Sequence, residues 1–337
     1  MNNNIIASVV IPLRNEEKYI EKCVQSILFQ DYPKEKLEVI FVDGASSDRT
    51  CEIVKEYTDI FLYLKLMHNP DKTVPYAMNI GIKAAQGKYI IRLDAHSQYA
   101  PDYFSKCIEY LEKTGADNVG GPMIATGKSF VGKAIAHLHS CPFGLGGGKF
   151  HNESYEGEAD TVYLGAFKKS TLLNVGLYDE RLTRNQDIEL NNRIRKAGGR
   201  IYLTPNVRSV YYCRDTIKSF LIQNYNNGKW NIYSKLVNKD ALSLRHFVPL
   251  LFILSLIVFL GGTIFLKFFL WFFVLEIILY FLFDMFFSAK LSLANGFKYF
   301  LLYFFTFLLL HISYGLGSLN GLITIPHQRK SFEIKSI

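Results

Sequence analysis

Asp94 and His96 close the apolar run "KYIIRLD" and the loop that follows it. Alternate residues of an extended chain point the same way, so this pair can aim a carboxylate and an imidazole at one target. Oxygen ligands suit Mg²⁺ or Mn²⁺, and an imidazole is more acceptable to Mn²⁺. The pair can equally be only a strand end with a polar loop after it. Other polar residues stand at the ends of apolar runs in the same manner. Pro12, Arg14, Asn15 and Glu16 follow the first run, Asp43 and "GASSD" the second, and Asn69 and Lys72 the third. One such acid is ordinarily a turn or capping residue; four polar ends converging on one edge describe a site.

The elements that must position these residues are short apolar, β-branched runs alternating with amphipathic stretches. Runs over 6–12, 37–43, 60–66 and 88–94 read as buried strands. Helices are expected over 16–30 (capped by Asn15, with Ile20, Cys23, Val24, Ile27 and Leu28 on one face), 48–57 and 74–86. This alternation builds right-handed βαβ units and an open, mainly parallel α/β sheet, whose ligands sit beyond the carboxyl ends of the strands. A helix over 102–113, strands within "NVGGPMI", "DTVYLGAF" and "RIYLTP", and a helix over 187–197 complete the pattern. The glycine-rich stretch 143–158 follows no strand and opens no helix, so it is no dinucleotide fingerprint. It reads as a surface loop or a substrate gate.

The chain has 337 residues and a net charge of +8. The excess is concentrated in 214–246, where Arg214, Lys218, Lys229, Lys235, Lys239 and Arg245 face Asp215 and Asp240. A basic belt there fits contact with anionic headgroups; with no basic face on the preceding domain, nucleic acid is not an expected partner. Residues 247–266 carry no charge over about a bilayer's thickness, 268–287 contain only Glu276 and Asp284, and a third apolar run begins near 297. Five scattered cysteines with no C-x-x-C pair argue for reduced thiols, and the amino end lacks a signal-peptide pattern.

Four blocks in order, "SVVIPLRNEEKYIEKCVQSILFQDYP", "EVIFVDGASSDRT", "AMNIGIKAAQGKYIIRLDAHS" and "RNQDIELNNRIRKAGGRIYL", give the chain a family likeness over roughly 6–235. It resembles the inverting, family-two nucleotide-sugar glycosyltransferases of the GT-A fold, especially bacterial enzymes extending membrane-linked exopolysaccharide units of the succinoglycan type. The resemblance implies that Pro12, Arg14, Asn15, Glu16, Asp43, Asn69, Lys72, Asn79 and Asp94 bind a nucleoside diphosphate sugar, a UDP-sugar first, with Asp43 on the base. Asp94 and His96 would hold Mn²⁺ or Mg²⁺, His96 standing where the D-x-D motif has its second Asp. Asp187 would be the catalytic base, with Asp179, Glu180 and Glu189 as competitors and helix capping as its structural alternative. Gly165, Ala166, Gln186, Lys229 and Trp230 would line the donor and acceptor pocket. "QNYNNGKW" departs from the Q-x-x-R-W block of processive synthases, which favours addition of one sugar; the same stretch also reads as an amphipathic helix on the membrane.

The expected organisation is a cytosolic catalytic domain (1–213), a basic interfacial segment (214–246), a membrane region of three or four helices (247–326) and a basic tail (327–337). Three crossings would put the tail outside, against the positive-inside rule, and four would make the last one very short. The expected place is the cell membrane, beside membrane lipids and a polyprenyl-phosphate-linked saccharide acceptor. A non-catalytic nucleotide-sugar-binding component of an assembly or export complex is the alternative; an oxidoreductase is disfavoured for want of a glycine fingerprint.

Overall fold

The computed structural model describes residues 5–334. In chain order its strands and helices begin β1 (Ala7–Leu13), α1 (Ile20–Leu28), β2 (Leu37–Asp43), α2 (Thr50–Thr58), β3 (Leu64–His68), α3 (Val74–Ala84), β4 (Tyr89–Arg92), β5 (Ser97–Tyr99), α4 (Tyr103–Thr114) and β6 (Asn118–Gly121). There follow β7 (Ile124–Thr126), α5 (Phe130–His139), β8 (Gly157–Glu158), β9 (Tyr163–Lys168), α6 (Lys169–Asn174), α7 (Gln186–Lys196), β10 (Ile201–Leu203) and β11 (Ser209–Tyr212). The chain ends in α8 (Ile217–Val237), α9 (Val248–Gly262), α10 (Phe268–Asn295) and α11 (Phe300–Ile334). Two compact units result, one of Met1–Ile124 with Gly148–Tyr212 and one of Ala125–Gly147 with Cys213–Ile337. Residues 125–147, which fall inside the expected 1–213 domain, group with the second unit.

The first unit is built on an eight-stranded sheet in the order β3-β2-β1-β4-β9-β6-β10-β8. Neighbours β3, β2, β1 and β4 run parallel, β9 is antiparallel to both β4 and β6, and β10 is parallel to β6. Period-two alternation divides the side chains. Val9, Ile11, Val39 and Phe41 enter one core with α1 and α4, while Val10, Ile40 and Val42 enter the other with Met78, Leu190 and Ile194. Each buried aliphatic side chain stabilises by about 1.5–3 kcal/mol. The mixed sheet with helices on both faces matches the open α/β sheet expected from the strand–helix alternation and the GT-A fold that the resemblance implies.

Two element boundaries differ from the sequence reading, each where turns and cross-loop bonds hold the chain locally. Helix α1 begins at Ile20 rather than 16. The N–H groups of Asn15, Glu16 and Glu17 donate to Ser46 Oγ, Thr50 Oγ1 and Asp48 Oδ2, so Asn15 ties two loops together instead of capping a helix. Strand β3 begins at Leu64 rather than 60, because Ile60 N and Phe61 N both donate to the Tyr57 carbonyl and extend the end of α2.

In the second unit three stretches, Leu244–Gly262, Phe268–Asn295 and Phe297–Glu333, are long and apolar enough to cross a membrane. Helix α11 continues through Pro326 into the expected basic tail, whose last three residues lie outside the described ones. Glu276 is hydrogen-bonded by Ser255 of α9, and Asp284 is buried and bonded by Ser288 at 3.0 Å, so neither acid lies bare on a lipid-facing surface. The five cysteines are all free.

Candidate active site

The register of the parallel strands brings the polar ends together. Leu13 is level with Asp43, and Asp43 with His68; Arg92 is level with Val10. Three loops at this edge each carry a non-glycine residue with positive φ, at Asn15 (56°), Ala45 (55°) and Lys72 (64°). Such conformations persist only where surroundings enforce them and gather at functional sites. Here the enforcement is a set of cross-loop bonds. Ser47 N donates to Asn15 Oδ1 at 2.8 Å, Gly44 N to the Leu13 carbonyl at 2.8 Å, and Asn69 N to the Asp43 carbonyl at 2.7 Å.

Asp43 is buried, its two oxygens accepting from Ser46 N (3.0 Å) and Ser46 Oγ (2.5 Å). Asn69, also buried, spends its amide on the Thr73 carbonyl and its oxygen on Asp71 N. Both therefore shape the loops as well as offering atoms to a ligand. Pro12 lies within β1, and Arg14 and Glu16 lie in the loop beyond it.

Asp94 is held by its backbone. Its N–H donates to Tyr99 Oη and its carbonyl accepts from the same hydroxyl, both at 2.8 Å. Its Oδ1 accepts from Arg92 Nη2 at 3.3 Å, and Oδ2 has no partner among the described residues. His96 Nδ1 lies 3.4 Å from Glu16 Oε1 and its ring sits edge-on to Tyr211. No cluster of three or more His, Cys, Asp or Glu able to hold a metal occurs among the described residues. The donor set fits a divalent cation only as a two-anchor site, one carboxylate oxygen and one imidazole, whose remaining positions a diphosphate and water must fill. Burial, reinforced by the charges of Asp94 and Glu16, pushes the nearby Cys23 thiol up to about 12, which keeps it inert.

Arg92 was not legible as a site residue, since it sits inside an apolar strand. It is buried, lies 6.0 Å from the centre of the Tyr178 ring, and its Nε and Nη1 have no partner among the described residues. Burial pulls its pKa down, but the charges of Asp94, Tyr178 and Asp187 more than reverse this, so it stays charged. Tyr99 was missed for a similar reason: its role rests on a hydroxyl that sequence pattern cannot aim.

Asp187 lies in the first turn of α7, after Asn185 in a left-handed conformation (φ 61°). Its Oδ1 accepts from Ile188 N at 2.9 Å and its Oδ2 has no partner among the described residues. The three competing acids are committed. Arg181 binds Asp179 through Nε (2.9 Å) and Nη2 (2.7 Å), and these contacts outweigh burial to hold its carboxyl low. Glu180 accepts from Asn79 at 2.8 Å, and buried Glu189 is paired with Arg193 at 2.7 Å. Gln186 is buried with Oε1 unpartnered among the described residues.

Other candidates have mainly internal work. Asn79 donates to the Tyr178 carbonyl and to Glu180 and accepts from Tyr178 N, pinning the segment that leads to α7. Gly165 has φ of 94°, and a Cβ there would fall 2.6 Å from Asn118 Oδ1; Ala166 sits opposite Ile91 and Val119 in the sheet. Lys229 and Trp230 belong to the second unit, on α8, where Lys229 Nζ lies 5.6 Å from the Tyr233 ring centre and Trp230 packs edge-on against it.

Residues 8–168 match the family model "Glycosyl transferase family 2". The chain is 32% identical over 230 residues to the dolichyl N-acetyl-alpha-D-glucosaminyl phosphate 3-beta-D-2,3-diacetamido-2,3-dideoxy-beta-D-glucuronosyltransferase of Methanococcus voltae, covering 66% of this chain and 71% of that protein. It is 30% identical over 244 residues to the succinoglycan biosynthesis protein ExoA of Rhizobium meliloti, covering 72% and 74%. Among solved structures, a mannosyltransferase from Pyrobaculum calidifontis, in complex with GDP-Man and Mn²⁺, shares the fold. Its TM-score is 0.57 at 18% identity, covering 93% of this chain and 86% of that one. With the strand-end site on a GT-A-like sheet, these likenesses establish that the chain belongs to glycosyltransferase family 2 and is a glycosyltransferase.

Proposed function

We propose that the enzyme transfers one sugar from a nucleoside diphosphate sugar, a UDP-sugar first, to a polyprenyl-phosphate-linked saccharide. The reaction is a single displacement with inversion, carried out by a multi-pass protein of the cell membrane whose catalytic unit is cytosolic. The acceptor oxygen bonds to the anomeric carbon as its bond to the diphosphate breaks, and Asp187 takes the acceptor's hydroxyl proton. The nucleoside diphosphate departs with the bonding electrons.

The observation that carries this reading is the unequal commitment of the acids around α7. Asp179, Glu180 and Glu189 are each engaged by a cation or amide, while Asp187 keeps one oxygen without a partner among the described residues. Asp43 and the loop residues Pro12, Arg14, Asn15, Glu16, Asn69 and Lys72 receive the nucleotide. Asp94 and His96 anchor a divalent cation, Mn²⁺ before Mg²⁺. When bound, that cation supplies charge neutralisation for the diphosphate leaving group. Gly165, Ala166 and Gln186 are assigned to the donor and acceptor pocket. The acceptor class draws support from a relative whose name specifies a dolichyl phosphate-linked substrate.

Detergent-purified protein should hydrolyse or transfer from at least one of a panel of UDP-, GDP- and dTDP-sugars when Mn²⁺ or Mg²⁺ is present. Mass spectrometry of a lipid extract should then find a polyprenyl-linked product one sugar heavier. Activity on water-soluble saccharides alone, with no lipid-linked product, would remove the acceptor assignment.

A further inference from the structure

Three helical stretches are apolar enough to cross a bilayer, yet they are not packed alike. Within the second unit α9 and α10 run side by side. Phe252 stacks on Tyr280, Ser255 bonds Glu276, and Phe259 stacks on Phe272, so seven residues along one helix match eight back along the other. This antiparallel hairpin buries little of itself, 11% and 6% of its two most apolar windows.

Helix α11 does not join that arrangement. Its Phe304 meets Phe281 of α10 and its His311 meets Tyr280. At 1.5 Å per residue, about 10 Å of α11 passes while α10 advances by about 1.5 Å. The two helices therefore cross steeply, whereas a third antiparallel span would keep step. Gly315 then passes over Pro249 and Ile253, near the start of α9.

Beyond that crossing α11 keeps step with α8 instead. A Cβ on Gly317 would strike the Tyr225 carbonyl, and one on Gly228 the Tyr314 carbonyl, so the backbones are in contact. Asn231 bonds Tyr314 Oη, and Tyr233 Oη bonds Thr324 Oγ1 at 2.6 Å. Helix α8 carries Lys218, Gln223, Asn226, Asn227, Lys229 and Lys235 and follows β11 after four residues, so it cannot lie in hydrocarbon. Before the crossing α11 packs on α5, which at ten residues is too short to span. Phe130 stacks on Tyr299, and His137 bonds Tyr303 Oη.

The side of α11 turned away from these partners has its own pattern. Leu301, Phe305, Leu316, Leu322 and Ile323 are exposed, and at 100° per residue they fall within about 120° of arc. Tyr303, Phe307 and Leu310, buried, lie on the opposite side. Lys298 stands before the helix, and Arg329 and Lys330 lie near its end.

We propose that α9 and α10 make the two membrane crossings and that α11 lies along the bilayer surface on the same face as α5 and α8. Its Leu301–Phe305–Leu316–Ile323 stripe then sits at the headgroup–acyl boundary. The occupant of this exposed stripe is lipid, because the stripe is continuous with a spanning hairpin and flanked by basic residues suited to anionic headgroups. Two crossings also keep the tail on the face of α5 and α8, which resolves the conflict between three spans and the positive-inside rule. The inference rests on the reading of this chain as a membrane protein; recovery in the soluble fraction would remove that reading, whereas the labelling below tests α11 alone.

The test is topology labelling of the full chain in sealed membrane vesicles of both orientations, with epitopes at the two termini. Both epitopes should be digested by protease from the same face, and Ile264→Cys in the α9–α10 turn should react with an impermeant maleimide only from the other face. Ser313→Cys should give no labelling from that other face. Epitopes on opposite faces would mean three crossings, far-face labelling of Ser313→Cys would mean four, and near-face labelling of Ile264→Cys would mean no hairpin; each overturns the proposal.

Discussion

The two edges of the eight-stranded sheet hold similar polar residues and treat them in opposite ways. At the edge where the parallel strands begin, buried Glu38 accepts from Ser8 Oγ (2.6 Å), Gln86 N (2.5 Å) and Lys65 Nζ (2.7 Å), while Ser8 Oγ accepts from Gly87 N (2.8 Å). At and beside the edge where they end, Arg92 and Gln186 are buried with polar atoms unpartnered among the described residues, and Asp94 and Asp187 each have an oxygen with no partner among them. An unmet buried group costs about 1–3 kcal/mol, whereas a satisfied one contributes about 1 kcal/mol, more when charged. The first edge is therefore finished by folding, and the second keeps polar atoms that folding among the described residues does not pair.

The sharpest break in that contrast should come from Asp187→Asn, which keeps shape and removes the proton acceptor. Transfer should fall by about 10²–10⁴-fold, with thermal unfolding unchanged within a degree or two. Undiminished steady-state transfer would strike Asp187 from the mechanism.

Glu38→Gln should do the reverse, costing about 1–3 kcal/mol of stability while kcat per folded molecule stays the same. Denaturant titration and active-site-normalised rates measure the two halves. The pH dependence follows from the same bonds. Burial raises the Glu38 pKa, but the bonds from Gln86, Lys65 and Ser8 outweigh it, so the folded value lies below the unfolded one. Its contribution is then fully present above the unfolded carboxylate value of about 4.3 and is lost as pH falls through the folded value. The stability gap between wild type and variant should be constant from about pH 6 to 8 and close only in acid. A gap that widens on acidification would contradict this linkage.

Gln186→Leu sharpens the comparison more gently. It removes an unmet acceptor, so stability should hold or rise by up to about 1 kcal/mol, while KM for donor or acceptor increases. A loss of stability like that of Glu38→Gln would mean that Gln186 belongs with the finished edge. The smallest effect is expected from His96→Ala, a several-fold rise in the Mn²⁺ concentration giving half-maximal activity. An unmoved cation curve would leave His96 as a loop residue bonded to Glu16.

Much of this was open to reading along the chain. Apolar, β-branched runs broken by acids placed β1, β2 and β4 within a residue or two, because burial on both faces of a parallel sheet demands continuous apolar sequence. The same period set Asp43 and Asp94 at strand ends, and the lack of charge over 247–266 marked a membrane segment. Three-dimensional packing alone decided which polar groups are spent. Arg92 carried no signal inside an apolar strand, and its bond to Asp94 is seen only in the folded chain; Asn79, Asp179, Glu180 and Glu189 looked available until their partners closed on them. Helix α11 teaches the same lesson at larger scale. Its composition determined that it shuns water, but not what covers it, because hydropathy counts apolar side chains while direction is set by partners far away in the chain. For this protein the sequence determined which surfaces had to be buried; the tertiary structure decided against what, since a contact belongs to two residues and a sequence lists them one at a time.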